Sequence, residues 1–192
     1  YDIFREIDAD AVRAGALVGL GDLLKTGCTT SSDHMYAHPR GTEKLIDAEI
    51  DAARTLGIRF PPTRGGITIG QSQGCAHVPD CLVESADQIL SDAERLIDAY
   101  HDTSRYAMCR IGLSLCWPPF ETDEIVERTR DLGLKRDVQC HTHLGESMGE
   151  LAISQERHGC RPVEYMRRMG WFGGNFYFAH CVQLTDEEVR LF

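Results

Sequence analysis

The chain has 192 residues, 30 acidic and 20 basic, for a formal charge of −10. That length supports one domain with a real core but falls short of the ~250 residues of a complete (β/α)8 barrel, and basic residues scattered through an acidic chain argue against a nucleic-acid backbone or an anionic membrane as partner. No apolar stretch approaches the ~20 residues of a membrane span and residues 1–7 lack the pattern of a signal peptide, so the expectation is a soluble, cytoplasmic protein with a small-molecule ligand, self-association into a homo-oligomer being left open.

Taken in chain order, Asp8 caps a helix whose apolar positions Val12, Ala16, Leu17, Leu20, Leu23 and Leu24 recur at helical spacing up to Gly27. Residues 28–35 read as a β-rich run. Thr42 opens a helix carrying Ile46, Ile50, Ala53 and Leu56, stopped by Gly57, and residues 58–64 form the next strand. Ser85 and Gln88 make a capping box before Ile89, Leu90, Ala93, Leu96, Ile97 and Tyr100, the clearest amphipathic stripe in the chain. A strand over 108–115 follows. Thr122 caps a helix with Ile125, Val126, Thr129 and Leu132, ended by Gly133, and 138–144 is a strand. Ser147 and Glu150 form a second capping box for a helix to His158; Pro162 suits the first turn of a short helix to Met169; 175–180 is the last strand; Thr185 and Glu188 form a third box.

Five strands separated by helices predict right-handed βαβ units and a parallel α/β sheet. A doubly wound sheet would offer a glycine-rich phosphate loop, and neither GxGxxG nor GxxxxGK[ST] occurs. The unusual polar residues Asp33, His34, Arg64, His143 and His180 all fall at the C-terminal ends of strands, where a barrel places its chemistry. The expected fold is therefore an incomplete (β/α)8 TIM-type barrel. Eight cysteines without a CxxC pair read as free thiols rather than a disulfide or zinc framework.

In CHTHLGE (140–146), His141 and His143 share one face of a strand and Glu146 follows in the turn. A neutral imidazole binds a divalent metal and a nearby carboxylate relays protons, but the spacing alone suits two histidines beside a helix cap equally well. His180, ending the following strand in FAHC, puts a second histidine at the same edge.

GCTTSSDHMY (27–36), HTHLGE (141–146) and AHCVQL (179–184) resemble segments of the amidohydrolase superfamily, in its branch of cytosine, guanine and 8-oxoguanine deaminases and triazine hydrolases. The first of these, with RGG (64–66) and YHD (100–102), is most similar to 8-oxoguanine deaminases. The resemblance covers almost the whole chain. It implies hydrolytic deamination of 8-oxoguanine to urate and ammonia, with isocytosine, guanine or a hydroxytriazine as alternative substrates and a silent barrel scaffold as the alternative of another class. It further implies one divalent transition metal, zinc or else iron, with His143 as ligand, Glu146 as acid/base and His180 orienting the attacking water, while His141 supports the strand. His34 and Arg64, at neighbouring strand ends, are the candidate substrate contacts, Arg64 reading equally as an ion-pair partner of the fold, and Gln71 and Gln73 lie in a long loop that reads first as solvated and otherwise as a cover for the pocket. Gly145 and Gln183 depart from the family's HTHLAE and AHCVHL. The family's HxH on its first strand and metal-binding aspartate on its eighth are not in these residues, so residues 1–192 are expected to be the middle, about strands two to six, of a longer barrel domain.

Overall fold

A computed structural model describes residues 3–192. Five parallel strands, β1 (His34–Met35), β2 (Thr63–Arg64), β3 (Gly112–Ser114), β4 (Cys140–Leu144) and β5 (Phe176–His180), pair in sequence order. They alternate with helices α1 (Ala9–Lys25), α2 (Leu45–Leu56), α3 (Ala86–Tyr100), α4 (Asp123–Arg136), α5 (Met148–His158), α6 (Pro162–Arg168) and α7 (Asp186–Val189). This is a partly closed (β/α) barrel. Sequential order without reversal distinguishes it from a doubly wound sheet, whose strand order turns back on itself.

The strands are shorter than their apolar patterns, because only residues facing a partner at the right twist complete the ladder. Residues 28–35 and 58–64 keep a bridge at Thr30 and Arg59 but pair regularly only at His34–Met35 and Thr63–Arg64. Two helix boundaries also differ from expectation. Thr42 donates its hydroxyl to the Pro39 carbonyl, and α2 begins after Lys44, held left-handed at φ 60°. Gly133 does not end α4, which runs on to Arg136 and is closed by left-handed Asp137. The glycine serves packing instead: a Cβ there would sit 2.2 Å from the Cys140 sulfur, so no other residue lets α4 approach β4 this closely.

Side chains of alternate strand residues divide the molecule. Leu113, Leu115, Cys140 and Leu144 join Ile46, Ile50, Ile89, Leu96, Ile125, Val126, Met166 and Trp171 in the core between sheet and helices. Each fully buried side chain of this size contributes roughly 1.5–3 kcal/mol. Trp171 is fully buried and donates its ring N–H to the Val126 carbonyl at 3.0 Å. The opposite face of the strands looks into the lumen and carries His34, Ser114, His141, His143 and Tyr177. No helix among the described residues is long and apolar enough to cross a membrane.

Candidate active site

Register places the lumen residues side by side. Ser114 pairs with His141, and His141 with Tyr177, whose ring stacks on the imidazole at a centroid distance of 4.3 Å. His141 Nδ1 lies 3.2 Å from the Tyr177 carbonyl, which occupies the ring as a strand-to-strand tie. His34 reaches across from β1, its centroid 4.5 Å from His143 and 4.9 Å from His141. Beneath this layer, at the N-terminal ends of the strands, Tyr177, Thr63, Gly112 and His101 line a separate cavity of about 590 Å³ to which His34, His141, His143 and His180 do not contribute.

His180 arrives by a different route. It pairs with Leu144, so strand parity alone would send it to the helix side. His180 and Cys181 are both left-handed, at φ 69° and 53°, a conformation that costs a non-glycine residue roughly 1–2 kcal/mol. The turn brings the ring back to the lumen, where His180 Nε2 lies 3.0 Å from His143 Nδ1 and 3.8 Å from Glu146 Oε1. The opposing turn after β4 is left-handed at Gly145 (φ 61°), where a Cβ would press on Leu184 at 3.1 Å. Glycine thus suits this position better than the alanine of the resembling pattern.

Burial dominates the electrostatics. It pushes His34 down to about 3, aided by His143 and His141 and opposed by the carbonyl of Leu115. It pushes His141 down to about 4 against the Tyr177 carbonyl. His143 is also lowered, by burial first and then by His180, with Glu146 opposing. All three shifts are downward, which favours the neutral imidazole, the form that binds a metal. Neither nitrogen of His34 has a hydrogen bond of standard geometry, and the buried Ser114 hydroxyl has no partner among the described residues. A buried orphan of this kind costs ~1–3 kcal/mol unless a ligand satisfies it.

His34, His143, Glu146 and His180 are therefore brought together. Arg64 is not among them. Its neighbour Thr63 pairs with His34, so Arg64 falls on the helix-facing side, 2% exposed, with ion pairs to Glu84 at 2.7 Å and Asp92 at 2.8 Å. Gln71 and Gln73 tie their own loop, to the Ala76 carbonyl and the Gly70 N–H. All eight cysteines are free thiols. Ser114 escaped the sequence reading; its only signal was one hydroxyl within the apolar run IGLSLC.

Among the described residues, no three His, Cys, Asp or Glu side chains are arranged to enclose a metal. The donor chemistry nevertheless suits part of such a site: neutral imidazoles, one with both nitrogens orphaned, fit a borderline divalent ion such as zinc.

The amidohydrolase family model matches residues 1–192. The chain is 35% identical to the 8-oxoguanine deaminase of Pseudomonas aeruginosa, over 99% of its own length and 42% of the relative's. It is 34% identical to the hydroxydechloroatrazine ethylaminohydrolase of Pseudomonas sp. strain ADP, over 98% of this chain and 39% of that one. The crystal structure of atrazine chlorohydrolase from Arthrobacter aurescens TC1 complexed with zinc superposes with a TM-score of 0.89 at 32% identity, covering 96% of this chain and 40% of that one. The chain thus spans about two fifths of the length of these relatives.

Proposed function

The chain belongs to the amidohydrolase family, and on that premise we propose that residues 1–192 form the central part of a cytoplasmic, metal-dependent barrel enzyme that hydrolytically deaminates a planar heterocycle, 8-oxoguanine first. The observation that carries this reading is the convergence of His143, His180 and Glu146 at adjacent strand ends, in a chain 35% identical to an 8-oxoguanine deaminase.

When bound, a divalent metal, zinc or else iron, supplies Lewis acidity toward the attacking water; His143 would hold it, together with ligands from barrel segments outside these residues. Glu146, half-exposed and 3.8 Å from His180, takes a proton from the water and delivers it to the ring nitrogen beside the carbon under attack. A second proton leaves with the exocyclic amine as ammonia, and a carbonyl replaces the C–NH2 bond. His180, strained into the lumen, orients the water and stabilises the charge that develops. His34 and Ser114 offer neutral donor and acceptor atoms to a purine edge, where an unpaired buried group would strongly disfavour the wrong ring.

The identity to an ethylaminohydrolase motivates a second reading, removal of an alkylamine from a hydroxytriazine. Release of ammonia and ethylamine from 8-oxoguanine, guanine, isocytosine and N-ethylated hydroxytriazines by the full-length, zinc-loaded protein separates the readings. The expected outcome is the highest kcat/KM on 8-oxoguanine. A triazine or isocytosine in first place replaces the substrate, and no amine from any of them leaves the silent scaffold.

A further inference from the structure

Three helices carry Ser or Thr followed three residues later by Glu or Gln, and two of them use the pair identically. In α3, Ser85 Oγ accepts from Gln88 N at 3.2 Å and Gln88 Oε1 accepts from Ser85 N at 2.8 Å. In α7, Thr185 and Glu188 exchange the same two bonds at 3.2 and 2.8 Å. In α5 only half of the box forms: Ser147 Oγ accepts from Glu150 N at 3.2 Å. The Glu150 carboxylate bypasses Ser147 and accepts the N–H of Gly145 at 3.0 Å and of Glu146 at 2.6 Å.

Glu150 is fully buried, and among the described residues no cation pairs with it. A buried carboxylate is costly unless hydrogen-bonded, and helix capping alone does not require burying one, as the glutamine of α3 shows. The two amides it holds form the turn between β4 and α5. The carbonyl of that turn, on Gly145, accepts in turn from Val182 N at 3.1 Å and Gln183 N at 2.8 Å, while the Leu144 carbonyl accepts from Cys181 N at 2.8 Å. One carboxylate thus fixes the backbone that carries Glu146, and through it the turn that carries His180.

We infer that Glu150 is a positioning residue: through the Gly145 and Glu146 amides it sets the direction of the Glu146 carboxylate and its separation from His180, touching neither substrate nor metal. The inference rests on the proposal that Glu146 carries the proton.

The test is Glu150→Gln in the full-length enzyme, which keeps the volume but turns an NH2 group toward an N–H donor. With zinc content unchanged, kcat should fall ~10- to 100-fold, the scale of an ångström-sized misplacement, while KM stays within about threefold. In the metal-free protein, the Gly145 and Glu146 amides should exchange hydrogen faster while the rest of α5 keeps its protection. Ser147→Ala, which removes the cap but not the two carboxylate bonds, should lower Tm and leave kcat within about twofold. Native kcat and native exchange in Glu150→Gln overturn the inference, as does an equal loss of kcat in both variants. Glu146→Gln, measured alongside, tests the underlying reading: near-normal turnover there removes Glu146 from proton transfer, and the exchange data then judge Glu150 alone. Should Glu150→Gln fail to fold, Glu150→Asp, which keeps the charge but cannot reach both amides, should show the same local exchange; native exchange in it overturns the inference.

Discussion

Two polar constellations lie on opposite faces of neighbouring strands, and they differ in how their central groups are partnered. On the helix-facing side, Arg64 is closed off by Glu84 and Asp92, and Asp92 also meets Arg95, which pairs with Asp47. On the lumen side, fully buried Ser114 and partly buried His34 carry atoms without a partner among the described residues, and His180 is held there by two left-handed residues. Buried polar groups are nearly always partnered. A network satisfied within the protein belongs to the fold, whereas one with unsatisfied atoms at strand ends has the form of a site completed by a ligand.

The widest separation between the two should come from His143→Ala. In the full-length protein it is expected to weaken metal binding by at least ~100-fold, more than loss of an outer hydrogen-bonding partner, with little change in the stability of the metal-free form. Elemental analysis showing undiminished metal would take His143 out of the ligand set.

Arg64→Met should behave in the opposite way. It leaves Glu84 and Asp92 facing a thioether, and breaking a buried pair costs ~3–5 kcal/mol. Because the Asp92 side chain is 31% exposed, the expected loss by urea denaturation is nearer ~2–4 kcal/mol, with kcat/KM unchanged for the folded fraction. An unchanged urea midpoint with a fallen kcat/KM would restore Arg64 as a substrate contact.

Glu49 of α2 gives the smallest effect and tests whether an orphan atom on the helix-facing side concerns stability alone. Its Oε2 has no hydrogen-bond partner among the described residues, and burial first, then Asp33, pushes its carboxyl up to about 9. Between its ordinary value near 4.5 and about 9 the folded state keeps a proton that the unfolded chain releases, so stability falls as pH rises through that window. Glu49→Gln should match the native Tm at pH 4 and exceed it at pH 8 by at least ~2–4 °C, the shift for about 1 kcal/mol in a chain of this size, with activity unaltered. Parallel Tm profiles would refute the raised value; altered kcat would give the helix-facing orphan a functional part.

The order of strands and helices was legible because it rests on local periodicity, and the caps at Asp8, Ser85, Thr122 and Thr185 were legible because each bonds an amide within three residues. The common face of His141 and His143 followed from the two-residue repeat of a strand. What the sequence by itself determined was thus the set of elements, the lumen face of β4 and the family pattern of its histidines. Tertiary structure decided that Gly133 admits Cys140 rather than ending a helix, that Arg64 turns to Glu84 and Asp92, that Ser114 is left unpartnered beside His141, that His180 is turned against its strand parity, and that Glu150 abandons its own cap for the turn at Gly145. The reason is physical: periodicity and capping are settled by neighbours along the chain, whereas burial and hydrogen-bond partners are settled by segments that meet only once the sheet has formed.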